Sequence, residues 1–115
     1  MIPTLDQLTA AGDLTVVPEA SLPLRGGQVL SVLSVRLAAG VGEPRHTHPG
    51  VEILRGLAGR GHVELDGVEV VSLGPGAVVH VAPGRVKALV NDGDGPFDVL
   101  AVLVLETGEP PVHPV

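Results

Sequence analysis

Gly40-Val41-Gly42-Glu43-Pro44-Arg45-His46-Thr47-His48-Pro49-Gly50-Val51-Glu52 is the stretch on which the reading of this chain turns. Side chains alternate in an extended segment, so His46 and His48 point to one side. Pro49-Gly50 then turns the chain, and Glu52 opens the next apolar run, where its carboxylate can return beside the two imidazoles. Two histidines and one carboxylate on one side form a facial triad suited to Fe(II) and acceptable to Mn, Ni or Zn.

Outward from this stretch the chain reads as strands and turns. Residues 29–37 are rich in β-branched and aliphatic side chains and lead into the histidines. Residues 53–57 and 62–65 follow, and Asp66-Gly67 is a hairpin turn into residues 68–73. Residues 77–81, 86–90 and 97–105 complete the set, separated by Pro83-Gly84 and the loop 91–96. Many short strands with Gly/Pro turns predict an antiparallel sandwich or barrel. Ahead of them, Thr4 and Gln7 are spaced as a capping box, with Gly12 as a stop, which predicts a short N-terminal helix over residues 5–11. The expected organisation is one domain: helix and arm over 1–24, barrel over 25–107 and a Pro-rich tail over 108–115.

Composition narrows the function classes. With 115 residues the chain can bury roughly two-thirds of its unfolded surface, enough for one core. It has no cysteine, hence no disulfide, thiolate ligand or thiol nucleophile. A net charge of −6 without a Lys/Arg cluster argues against nucleic acid. The aliphatic run 99–105 is too short to span a bilayer, and the acidic first twenty residues do not read as a signal peptide. No membrane association and a cytoplasmic location are the expectations. Phe97 is the only aromatic residue, so Val, Leu, Ile and Ala must fill the core.

The spacing around the histidines resembles the first signature of the cupin superfamily, with Gly40, His46, His48, Glu52 and Gly59 in every slot. Gly76, Ala82-Pro83-Gly84 and Asn91 are similar to the second signature, but Lys87 stands where that signature has its last histidine. The resemblance implies an all-β, antiparallel jelly-roll β-barrel, the cupin double-stranded β-helix. It also implies a mononuclear metal site on His46, His48 and Glu52. A fold shared by many chemistries does not by itself choose one.

Lys87 is also the only lysine of the chain. An ammonium near a divalent cation is repelled by it, which leaves three readings. In the first, His46, His48 and Glu52 hold the metal (Fe, Mn, Ni or Zn), while Lys87 donates a proton or pairs with a substrate carboxylate. The protein is then an oxygenase, isomerase or lyase for a small oxygenated or carboxylated metabolite. In the second, the metal is absent and Lys87 is an amine or acid–base catalyst with Glu52 and the histidines. In the third, the barrel binds a small acid and catalyses nothing. The first is the main expectation, with Lys87 and Glu52 as catalytic residues.

His80 lies in an apolar strand and is a possible extra ligand, since a bulge before Pro83 would turn it inward. His62 alternates with Glu64 and Asp66 and belongs to a solvated face; His113 lies in the tail, loose or strapped to the surface. Parity aims Arg45 and Arg55 away from the ligand side. None of the Gly-x-Gly sequences opens a helix, so nucleotide binding is not expected. Residues 99–105 lack polar alternation and read as a strand buried on both faces. Its outer cover is expected to be the partner in a homodimer or, alternatively, the arm 13–24.

Overall fold

The structure is a computed structural model and describes residues 13–106 and 113–115. Ten strands account for most of them: β1 Leu14–Pro23, β2 Gln28–Leu37, β3 His46–Thr47, β4 Glu52–Ala58, β5 Gly61–Leu65, β6 Glu69–Ser72, β7 Val78–Val81, β8 Lys87–Asn91, β9 Phe97–Glu106 and β10 His113–Pro114. They pair antiparallel in two five-stranded sheets, ordered β1-β2-β9-β4-β7 and β10-β3-β8-β5-β6. This is the jelly-roll barrel expected from the sequence. The helix expected over residues 5–11 lies outside the described residues.

Local chemistry explains the turns. Asp66 and Gly67 both take positive φ, at 54° and 72°, and Val68 N–H donates to the Leu65 carbonyl. Two successive positive φ angles match the twist of a tight hairpin, and Asp-Gly tolerates them best. The prolines of β1, Pro18 and Pro23, explain why that segment reads as an arm rather than a strand. Proline is admitted to a sheet at an edge, and β1 pairs with β2 only, with a bulge between Pro18 and Ala20.

The core lies between the inner faces of the two sheets, filled by Leu33, Val35, Leu37, Leu54, Val63, Leu65, Leu89, Val99 and Leu103 around Phe97. Gly61 stands where a Cβ would run into the Phe97 ring, so the glycine makes room for the one large side chain. Along β9, Phe97, Val99, Ala101, Leu103 and Leu105 are buried, whereas Leu100, Val102 and Val104 face outward and stay partly exposed. The apolar run therefore alternates in burial although not in hydropathy. The arm does not cover that outer face, because β1 extends the sheet edgewise. No helix among the described residues is long and apolar enough to cross a membrane.

Phe97→Ala is expected to lower the unfolding free energy by about 3–5 kcal/mol, read by urea denaturation. The flanking Val and Leu side chains are too short to fill the space.

Candidate functional site

The barrel gathers its charged side chains at one place. His46 sits in β3 directly opposite Lys87 of β8. His48 follows two residues later, and Glu52 opens β4 in the other sheet. Glu43 joins them from the segment before β3. Its N–H donates to the Leu89 carbonyl and its Oε1 accepts from Leu89 N–H, both at 2.9 Å, which fixes this segment on β8. Lys87 and Glu52 are 3% and 1% exposed, His48 and Glu43 6% and 8%. The last two are the members nearest solvent.

Distances define a connected cluster. Lys87 Nζ lies 3.1 Å from Glu52 Oε1, 3.2 Å from Oε2 and 3.6 Å from Glu43 Oε1. His48 Nε2 is 3.2 Å from Glu52 Oε2 and 3.2 Å from His46 Nε2. His46 Nδ1 is 2.8 Å from the Pro44 carbonyl, which can only accept, so Nδ1 carries the proton. Burial lowers the His46 pKa; Glu43 pulls it back up and Lys87 pushes it further down, with a net lowering. Neutral His46 thus turns its Nε2 lone pair towards His48, whose single Nε2–H lies between that lone pair and Glu52 Oε2, 3.2 Å from each.

The ionised state of the pair follows from the same contacts. Burial alone would raise the Glu52 pKa, but the Lys87 charge and the His48 hydrogen bond outweigh it and bring it to about 2. Burial alone would lower the Lys87 pKa, but the charges of Glu52 and Glu43 outweigh it and the net shift is upward. The contacts thus favour Lys87 as the ammonium and Glu52 as the carboxylate. Amine catalysis needs the unprotonated nitrogen, which these charges disfavour.

Two imidazoles and a carboxylate are good donors for a divalent metal. The Lys87 ammonium, however, lies directly against the carboxylate of this set, 3.1 and 3.2 Å from the two Glu52 oxygens. Among the described residues no group of three or more His, Asp or Glu side chains is arranged to hold a metal. As folded, the carboxylate oxygens of this donor set are engaged by the Lys87 ammonium.

Of the other candidate residues, His80 is corrected. It pairs in regular register with Ile53, no bulge intervenes, and its side chain is on the exposed outer face, so it cannot be an extra ligand. His62 lies away from the cluster between Asp92 and Glu64, at 2.6 and 3.5 Å. Arg45 and Arg55 are exposed as parity indicated. His113 pairs with Thr47, so this end of the tail is strapped along β3. Asn91 is structural: its Nδ2 reaches the Leu37, Ala38 and Gly95 carbonyls at 2.8–3.0 Å and ties the following loop to the end of β2. Glu43 was not singled out from sequence. Its signal, an acidic residue three before the first histidine, has no meaning until the segment is seen lying on β8.

Residues 33–103 match the model of the Cupin_2 family, a cupin domain. A search of curated proteins finds no match. Among solved structures, the chain is similar to the Cupin_2 domain of an XRE family transcriptional regulator from Enterobacter cloacae, at 20% identity and TM-score 0.66, covering 79% of this chain and 95% of that one. It is similar to the polyketide cyclase RemF from Streptomyces resistomycificus at 19% identity and TM-score 0.67, covering 90% and 71%. It is also similar to the DMSP lyase DddQ from Ruegeria pomeroyi at 27% identity and TM-score 0.62, covering 85% of this chain and 53%, about half, of that one. The first two likenesses speak to the fold alone.

The ion pair sets an acid limit on stability. Glu52 has a folded pKa of about 2 against an ordinary 4.5, so its contribution is complete above the ordinary value and disappears as pH falls through the folded one. Urea denaturation between roughly pH 6 and pH 2 is expected to show a loss on the order of 3 kcal/mol from this group. Glu52→Gln should be less stable at neutral pH and have a flatter acid limb.

Proposed function

The chain belongs to the cupin family through its Cupin_2 domain, and from that premise we propose that it is an enzyme moving a proton on a small oxygenated metabolite. The observation that carries this reading is the unprotonated Nε2 of neutral His46 at the head of a chain of contacts through His48 and Glu52 to the Lys87 ammonium. His46 Nε2 is the base. Once protonated it faces Glu43 Oε1, 4.0 Å away, which stabilises the imidazolium. His48 and Glu52 hold the ring arrangement, and Lys87 keeps Glu52 ionised while adding fixed positive charge to a dry site. The substrate reaches the cluster from the side of His48 and Glu43.

Charge selects the substrate class. Two carboxylates face one ammonium, so Lys87 is already committed and a further carboxylate is disfavoured. An uncharged carbonyl or hydroxyl compound suits the site better than a small acid. The neighbour at 27% identity is a lyase, which supports catalysis without choosing a reaction.

A homodimer belongs to the same proposal. Ala20, Val32, Val102, Ile53 and His80 line up across the outer face of the first sheet, and Ile53 and Val78 are 46% and 60% exposed. A flat aliphatic sheet face packs well on a copy of itself with strands about 30° apart.

Two measurements check these statements. A panel of small carbonyl and hydroxy compounds in D₂O, followed by proton NMR with chelator present, should reveal solvent deuterium entering one of them. His46→Gln should slow that exchange on the order of 100-fold. Turnover that requires added metal, or exchange that His46→Gln leaves intact, defeats the reading. Light scattering should give twice the chain mass for the native protein and a single chain mass for Ile53→Glu; a native monomer removes the dimer.

A further inference from the structure

Lys87 faces as many acceptors as it has donors, yet one of them is left without a hydrogen bond. Its ammonium has three N–H donors, and facing it are both oxygens of Glu52 and Oε1 of Glu43, with the two imidazoles joined to those carboxylates. Glu52 Oε1 is 3.1 Å from Nζ yet receives no hydrogen bond directed at it, and it is fully buried. One buried acceptor of the set is therefore balanced in charge but not in bonding. Two carboxylates converge on one cation, the imidazoles of His46 and His48 adjoin those carboxylates, and the cation is covalently part of the chain.

We infer that Lys87 is the resident cation of the barrel, and that Glu43, His46, His48 and Glu52 form a latent divalent-metal site that opens when its ammonium is removed. Two positive charges cannot share this position: at a few ångströms in a low-dielectric interior their repulsion exceeds any gain in ligation. Nor does Lys87 have an easy exit. It lies in the middle of the second sheet, paired to His46 on one side and Leu65 on the other, and is 3% exposed. With an uncharged residue there, two buried carboxylates are left without a counter-charge, and a borderline metal with nitrogen and oxygen ligands supplies one. This holds whether or not the cluster performs proton transfer; a protein that only binds ligand would show it equally.

The test uses the full chain, stripped with chelator, then exposed separately to Mn²⁺, Ni²⁺ and Zn²⁺ and desalted. Metal content is read by elemental analysis and stability by thermal unfolding. The native protein should retain no ion and show no shift in midpoint. Lys87→Met should be less stable when metal-free, retain about one ion per chain and bind it at least about 100-fold more tightly than the native protein, equivalent to about 2.7 kcal/mol. Metal should raise its midpoint. Lys87→His, which puts a further donor at the same position, serves if Lys87→Met folds poorly, and His46→Gln in either background should abolish uptake. Stoichiometric metal in the native protein overturns the inference. So does a pair of Lys87 variants that take up no ion, or that metal in the refolding buffer fails to rescue. Failure of the deuterium-exchange experiment leaves all of these readings unchanged.

Discussion

The ion pair between Lys87 and Glu52 is the contact on which the rest of this barrel depends, because it joins the two sheets at their shared interior. Glu52 starts a strand of one sheet and Lys87 a strand of the other. Each charge alone would be costly to bury, and together they offset that cost only with good geometry and further partners. Glu43 and His48 are those partners. The hydrogen bonds between Glu43 and Leu89 hold one carboxylate at β8, and the turn at Pro49-Gly50 returns the other to the histidines. Around this polar centre the core is aliphatic apart from Phe97.

Much of this was legible in the sequence because it depends on local geometry. Alternation placed His46 and His48 together, Pro49-Gly50 brought Glu52 back, and Asp66-Gly67 marked a hairpin whose φ angles are those the pair favours. Lys87 stood out because it filled a slot that should hold a histidine. What stayed hidden depends on distant pairing. Nothing near Glu43 says that its segment lies on β8. The prolines of β1 disguised an edge strand as an arm. His80 had the correct parity for the outer face, but only the register with Ile53 excludes a bulge. The run 99–105 showed no polar alternation because a sheet face left aliphatic has the same hydropathy as a buried one.

Replacing one histidine-type ligand position by lysine changes the logic of the whole cluster rather than one corner of it. A histidine would add a lone pair and leave the centre for a cation. Lysine adds the cation itself and draws Glu52 and Glu43 onto it. The same backbone positions thus present a different charge and donor set according to a single side chain. Membership of the family fixes the backbone positions and not that choice.

Temperature acts on the two halves of this interior in opposite ways. Hydration of charged groups becomes less favourable on heating, so the desolvation cost of holding Lys87, Glu52 and Glu43 out of water shrinks, while the gain from burying the Val and Leu side chains levels off. The polar centre that is a burden on the barrel at low temperature becomes a growing share of its cohesion in the heat. The sheets should then separate first at their edges, near β1 and β6, and last where the lysine joins them.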